Sequence, residues 1–461
     1  MPINDTVTKE LSTFVKVFQT NVGMNRIIIV GNGFDKAHGL KTGYDDFIDW
    51  YWTAFWDKVY SAYYDRCSMV QMLSEHEDIY VKLSITELYG NEKKDNDTYE
   101  YDEKKSVFEN LKSLVDFYNS KFPYMRADLS FKNLFFEKIC NKLNLINWVD
   151  IENEYYMELK SLTREPDPLT RSDKVKKLNM DFKAIKELLY KYLKYIYKDC
   201  KSIQSIENAF VSSIHLEDIS LGNVQRYLKE VELDYADEIK KEEERGTFFD
   251  PNKCPNGMEI DDSSLKRMLE SNKYKDKLPK PAHTLVLNFN YTYLAEECYV
   301  KNLAELEFKV INIHGELTHT ENPIIFGYGD DLDESYKEIE KLNDNDFLEN
   351  MKSIQYNLTN NYHYLLDFIQ SGPYQVCIMG HSCGTSDRTL LNTIFEHEND
   401  ISLKVYYQQI NETEDNYIDI VKNISRNFNN KVRMRDLIVN KSFCQPLVSL
   451  DEQKKFLEKE G

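Results

Sequence analysis

One short segment limits the folds open to this chain more than any other feature. Arg26-Ile27-Ile28-Ile29-Val30 reads as a buried β-strand, and Gly31-Asn32-Gly33-Phe34-Asp35 follows it with no spacer. Open α/β sheets place a nucleotide at such carboxyl ends. Glycines there let backbone N–H groups approach a diphosphate closely. The usual dinucleotide fingerprint needs a third glycine nearby, and Phe34 and Asp35 break that pattern. The turn is therefore not that of an ordinary dehydrogenase.

More strand character appears only far along the chain. It returns at Thr284–Asn290, then at Phe308–Ile313, Pro323–Phe326, Tyr374–Met379 and Ser402–Tyr407. Apolar cores that end in glycine or polar residues, with helices between them, predict a mainly parallel sheet. Before the first strand, Leu11, Phe14, Val15 and Phe18 stand at helical spacing and predict a docking helix. After it, Tyr44, Phe47, Trp50 and Tyr51 mark another helix. From about 57 to 280 helical patterns dominate, and Phe182, Ile185, Leu189, Tyr192 and Ile196 share one apolar face. The charged stretches Asn91–Lys105 and Lys229–Asp262 read as exposed loops or solvated helix faces. The expected plan is a Rossmann-like α/β core from 1–56 and 281–440, a helical insertion over 57–280, and a charged tail at 441–461.

Composition narrows the partners. The formal charge of −20 over 461 residues opposes a broad nucleic-acid surface, although a local basic patch stays open. The eight cysteines include no Cys-x-x-Cys pair, which argues against a zinc ribbon. The amino end lacks an apolar core of the signal-peptide kind, and no run reaches the ~20 apolar residues that span a bilayer. A cytoplasmic chain without a membrane partner is expected. A homo-oligomer is left open.

Four strand ends finish in polar residues: Gly31–Asp35, Asn290-Tyr291-Thr292, His314-Gly315-Glu316, and Gly380-His381-Ser382-Cys383-Gly384 running on to Asp387. Each is a weak signal alone, but all four at strand ends point to one site. With His38-Gly39-Leu40, Tyr44-x-x-Phe47, Trp148–Glu152 and Phe326-Gly327, the set resembles the AbiH family of bacteriophage abortive-infection proteins. That resemblance runs over roughly residues 26 to 400 and implies a role in phage defence, with a phage-derived trigger or a defence-system partner protein.

The order Gly-x-Gly, strand-end Asn, His-Gly, Gly-x-Ser is also similar, more distantly, to sirtuin-like NAD-binding domains. In that superfamily the Asn and the His act at the nicotinamide ribose, which points here to Asn290 and His314. The chain departs from it in Gly-Asn-Gly-Phe-Asp for Gly-Ala-Gly-x-Ser, in Ile48 for a frequent arginine, and in lacking the deacylases' zinc ribbon. NAD binding or cleavage fits better than deacylation.

Each candidate has a plainer alternative. His314 is a general base or a core histidine satisfied by backbone. Asn290 holds ribose or water, or caps the next helix. Asp35 faces a developing cation or is an N-cap, and Asp387 reads a ribose hydroxyl or caps the helix after it. Ser382 donates to phosphate, or its flanking glycines only permit a tight turn. His38 is a ligand contact or a helix histidine. The reading taken forward is an NAD-cleaving defence effector in which NAD is substrate or ligand and no separate cofactor or metal is expected. Asn290, His314 and Asp35 are catalytic. Gly31, Asn32, Gly33, Phe34, His38, Tyr291, Gly380, His381, Ser382 and Asp387 bind the nucleotide. The rivals are a nucleotide sensor without cleavage, and a nuclease or phosphoesterase using carboxylates such as Asp35, Asp45 and Asp46.

Overall fold

The computed structural model describes residues 23–64, 76–87, 99–122, 125–142, 148–197, 201–220, 222–229, 280–303, 308–317 and 321–458. The expected helix at Leu11–Phe18, Trp148's side chain and nearly all of the Lys229–Asp262 stretch lie outside the residues and side chains described. Among the described residues there are eight strands: β1 (Asn25–Val30), β2 (His76–Glu77), β3 (Val81–Glu87), β4 (Met125–Phe131), β5 (Thr284–Asn288), β6 (Phe308–Asn312), β7 (Tyr374–Met379) and β8 (Asp400–Tyr406). The chain divides into two compact units, one from Met1–Leu40, Tyr197–Tyr336 and Met351–Gly461, the other from Lys41–Ile196 and Lys337–Asn350.

The first unit is built on a five-stranded parallel sheet in the order β6-β5-β1-β7-β8. The order reverses between β1 and β7, because the chain builds outward on one side of β1 and then on the other. Alternation along each strand feeds two cores. Ile27, Ile29, Leu285, Leu287, Val376, Ile378, Leu403 and Val405 pack on one face against the helices Asn361–Gln370, Arg388–Phe395 and Tyr417–Asn427. Ile28, Val30, Val286, Cys377 and Met379 pack on the other, with Ile206, Ala209 and Phe210 of the helix Gln204–Phe210. Both faces are covered, so the central strands β1, β5 and β7 read as near-continuous apolar runs. Fully burying each such side chain contributes about 1.5–3 kcal/mol.

The second unit holds a three-stranded antiparallel sheet, β2-β3-β4, among the helices Tyr44–Tyr64, Val107–Lys121, Leu134–Asn141, Trp148–Leu162 and Pro168–Ile196. Ser106 and Glu109 form a reciprocal capping box that starts one of them. Phe182, Ile185, Leu189 and Tyr192 are buried as their spacing requires, and Tyr155 stacks on Phe182 at 4.1 Å. Glu152 is buried within this unit.

Four expectations change. The insertion is not purely helical, since Val81-Lys82-Leu83-Ser84-Ile85 alternates and pairs as β3. Its unit begins at Lys41 rather than 57, and residues 204–228 belong to the first unit, because Ile206 and Phe210 cover the sheet. Pro323–Phe326 is no strand but a buried loop, held in part where the Ile325 N–H donates to the His314 carbonyl (2.8 Å). The expected tail at 441–461 is folded in over its described residues, which end at 458. Leu447 donates to Tyr407, Leu447 and Val448 join the core, and Leu450–Glu458 is helical. No described helix is long and apolar enough to cross a membrane.

Candidate functional site

The turns after β1 and β7 touch. The Gly33 N–H donates to the Gly380 carbonyl (2.7 Å), the Gly31 N–H to Met379 (3.2 Å) and the Phe34 N–H to Gly31 (2.8 Å). A Cβ on Gly33 would stand 2.9 Å from the Gly380 oxygen, and one on Gly31 2.5 Å from the Cα of His381. Gly380 has φ +75°, and a Cβ there would meet the Phe34 nitrogen at 2.1 Å. Close approach of two backbones therefore demands these glycines. It also commits the amides of Gly31, Gly33 and Phe34 inside the fold, which corrects the expectation that they cradle a diphosphate.

The helix Asn32–Ala37 turns Phe34, Ala37 and His38 to its buried side, as i, i+3 and i+4 require. Phe34 is enclosed by Phe210 and Tyr299. His38 Nδ1 bonds to the Phe34 carbonyl (2.8 Å) and Nε2 to Tyr299 Oη (2.6 Å). Phe34 and His38 thus belong to the core, and the structure does not bring them to the polar edge. Asn32 and Gly33 are half-buried.

Asp35 is the centre of a first network. Its Oδ1 accepts from Asn290 Nδ2 (2.8 Å) and its Oδ2 from Thr292 Oγ1 (2.8 Å). Asn290 Nδ2 also donates to the Gly31 carbonyl (3.0 Å), and its backbone N–H to Asn288 Oδ1 (3.0 Å). Asn290 therefore locks the turn rather than capping a helix. Both its amide hydrogens are used, while its Oδ1 meets no hydrogen-bond donor among the described residues. Asn288 Nδ2 donates in turn to Asn312 Oδ1 (2.8 Å), which ties the ends of β5 and β6 together. Burial pushes the Asp35 carboxyl up to about 7, against the two hydrogen bonds that favour its charge.

A second network surrounds Asp387. Lys352 Nζ lies 2.7 Å from Oδ1, and His314 Nε2 lies 3.2 Å from the same oxygen. On the other oxygen, Ser386 Oγ stands at 3.5 Å and His381 Nε2 at 3.6 Å. His381 Nδ1 accepts the Cys383 N–H (2.9 Å), so its hydrogen sits on Nε2, towards Asp387. Cys383 holds a left-handed φ of +54° to make that bond. Asp387 starts the helix Arg388–Phe395, yet its side chain makes no cap bond and serves this cluster instead.

His314 Nε2 also lies 3.3 Å from Tyr356 Oη. Its ring meets Phe289 edge-on at 5.0 Å, and Phe289 in turn contacts His381 at 4.3 Å. Nε2 facing a carboxylate places the ring hydrogen there. Nδ1 is then the lone-pair nitrogen, with no hydrogen-bond partner among the described residues. Burial, followed by the Lys352 ammonium, lowers His314 to about 4, and Asp387 only partly opposes this. The ring is neutral at pH 7. Burial alone would raise Asp387, but Lys352 and the facing rings hold it well below the usual carboxylate range. With His314 neutral, Lys352 supplies the countercharge.

The structure brings Asp35, Asn290, His314, His381 and Asp387 to the carboxyl edge of one sheet, Gly31 and Gly380 joining the two networks. Tyr291 borders His314 at 6.5 Å between ring centres and donates to the Ile325 carbonyl (3.2 Å). Ser382 is half-buried, and its carbonyl accepts from Asn423. Sequence reasoning missed Lys352, Tyr356, Asn288 and Asn312. The paired endings Asn288-Phe289-Asn290 and Asn312-Ile313-His314 carried a readable signal, because both strands end in Asn, an apolar residue and a polar one. Nothing in the segment around Lys352 marks a buried lysine.

The family model described as bacteriophage abortive infection AbiH matches residues 27–408. That span runs from β1 through the last strand and includes every residue of both networks. No curated protein and no solved structure gives a significant match. With most of its length matched, the chain belongs to the AbiH family of bacteriophage abortive-infection proteins.

Proposed function

We propose that this AbiH protein acts in phage defence by binding NAD at the carboxyl edge of a Rossmann-like sheet and hydrolysing the nicotinamide–ribosyl bond. One observation carries the reading. A neutral histidine, oriented by a buried carboxylate and with Nδ1 unengaged among the described residues, shares an edge with an asparagine whose carbonyl oxygen is also unengaged there. The strand order supports it, since doubly wound sheets bind nucleotides where that order reverses.

In the reaction the C1′–N bond breaks and its electron pair leaves with nicotinamide. Oxocarbenium character builds on the ribose, as in glycoside hydrolysis. Water adds its oxygen to C1′ and gives one proton to His314 Nδ1. Water captured by an oxocarbenium ion becomes acidic as it bonds, so a weak base suffices. Asp387 faces the imidazolium that forms. Asn290 Oδ1 accepts from the water or a ribose hydroxyl, and Asp35 and Thr292 hold that amide in place. Asp35 acts through Asn290, and its ionised form also favours positive charge on the sugar. Gly31, Gly33 and Gly380 support the two turns, while Asn32, Tyr291, His381 and Ser382 border the nucleotide.

The test is incubation of purified protein with NAD, alone and with phage components as trigger, the products being resolved by chromatography. His314→Ala and Asn290→Ala should each lower turnover by roughly 10²–10⁴-fold. NAD affinity should change far less, because loss confined to the transition state spares ground-state binding. Absence of nicotinamide from triggered wild type rejects hydrolysis, and retained NAD binding would then favour a sensor. Full activity in His314→Ala rejects the base assignment.

A further inference from the structure

We infer that Lys352 is a positioning residue for His314: its ammonium, on the same Asp387 oxygen that faces the ring, balances the carboxylate so that Asp387 orients the ring through its Nε2–H without drawing a second proton onto it, which leaves Nδ1 able to take one. The inference rests on reading His314 as the base. Lys352 is 1% exposed, and a lysine buried to that degree is costly unless it is paired. Its Nζ–Oδ1 distance of 2.7 Å is the shortest contact Asp387 makes. Its backbone is pinned where its N–H donates to the Tyr328 carbonyl (2.8 Å). The ammonium is thus placed by the fold rather than by a flexible stem.

The groups around the pair decide the sign of the effect. Asp387 meets Lys352 and His314 at Oδ1, and His381 and Ser386 at Oδ2. The His314 ring meets Tyr356 Oη at Nε2 and the apolar edge of Phe289. Burial pushes the nearby Cys383 thiol up, so it stays neutral. Arg388, next along the chain, pairs instead with Asp330 at 3.3 Å. Lys352 is therefore the fixed cation on Asp387. Without it, the carboxylate would draw a proton onto His314, and Nδ1 would lose its lone pair at a higher pH. An ion pair serving only structure predicts otherwise: its loss lowers stability and leaves the ring's titration where it was.

The experiment is nitrogen-15 imidazole spectroscopy on the full-length chain across a pH titration, with His314 assigned by its loss in His314→Gln. In wild type the ring should be neutral at pH 7, carry its hydrogen on Nε2, and titrate well below an ordinary histidine. In Lys352→Met its titration should rise by about one pH unit or more, a tenfold change in proton affinity. Lys352→Arg should stay near wild type. The acid limb of kcat/KM on NAD should move with the ring. An unmoved titration in folded Lys352→Met overturns the inference. So does a wild-type ring with its hydrogen on Nδ1 or an ordinary titration, and that arm needs no variant to fold. If the ring shifts as expected but wild type releases no nicotinamide, the positioning stands and the glycohydrolase reading fails. If wild type turns NAD over but the ring does not move, the glycohydrolase reading stands and the positioning fails.

Discussion

Asp35 and Asp387 are both buried carboxyls at the same sheet edge, yet they sit at opposite ends of the carboxylate range. Asp35 has only neutral donors, Asn290 and Thr292, and burial lifts it to about 7. Asp387 has an ammonium at 2.7 Å and is held well below its ordinary value. At Asp35 two hydrogen bonds from neutral groups do not offset the loss of water around the charge, whereas at Asp387 a fixed cation and the facing rings do. One edge thereby keeps a carboxyl that can gain or lose a proton near neutrality beside one that stays ionised. The second suits orientation of a base, and the first ties the β1 turn to the residues that follow β5.

The comparison breaks most visibly at Asp387. Asp387→Asn takes the carboxylate away from the buried Lys352 ammonium, and removing one member of a buried pair costs about 3–5 kcal/mol. Denaturant unfolding should show a loss of that size. Asp35→Asn leaves no charge stranded and should cost far less. Equal losses at the two sites would mean that Lys352 has found another acceptor or reaches water, and the contrast would fall.

A smaller effect tests the joint between the networks. Gly380→Ala puts a side chain on a left-handed residue, about 1–2 kcal/mol of strain, and forces the Phe34 backbone away. The loss of stability should be at least that large. Both networks should loosen together, since His381 follows Gly380 and Asn290 is bonded to Gly31. Crystallographic comparison, or titration of His314 and Asp35 in the variant, reads this. Movement of one network alone would show that they are independent. For the same reason Gly33→Val disturbs the fold and is no clean probe of ligand binding.

The sheet was legible in the sequence because its central strands β1, β5 and β7 are near-continuous apolar runs, and β7 occupies the very residues its pattern marks. Pro323–Phe326 misled for a related reason. Ile324, Ile325 and Phe326 are apolar because a loop is buried there, and burial without a ladder looks like a strand in composition. The alternation in β3 was present but lay between helical patterns. The C-terminal segment looked like a tail because its charges outnumber the apolar residues that dock it, Leu447, Val448 and Phe456 among them. Polar strand ends announced Asn290, His314 and Asp387. They did not announce which partner each would take. Lys352 lies 35 positions from Asp387, on a four-residue helix too short for any period to show, so only the folded chain reveals the pair.

The change that is smallest in mild acid, and the one that sharpens the comparison most, is Asp35→Asn. Near pH 4 Asp35 is protonated in the folded chain, so the neutral isostere should alter stability there by only about 1 kcal/mol, mostly through hydrogen bonds rearranged at Asn290 and Thr292. The pH dependence separates the two carboxyls. Unfolded Asp loses its proton near 3.9 and folded Asp35 near 7, so between those values the folded state holds more protons. Asp35 therefore stabilises the fold below about 4, and that contribution drains away as pH rises to 7, by about 1.4 kcal/mol per unit. His314 runs the other way. Its proton leaves the unfolded chain near 6.5 and the folded one near 4, so its contribution is present above 6.5 and lost as pH falls through that window. In wild type the two slopes oppose each other between about pH 4 and 6.5. Asp35→Asn removes one of them, so the stability of the variant relative to wild type should climb with pH by about 1.4 kcal/mol per unit up to pH 7 and then level off. Denaturant midpoints of both proteins at half-unit intervals measure it. A flat difference would place Asp35 among ordinary carboxylates, in reach of a cation or of water, and the two halves of the edge would then be alike.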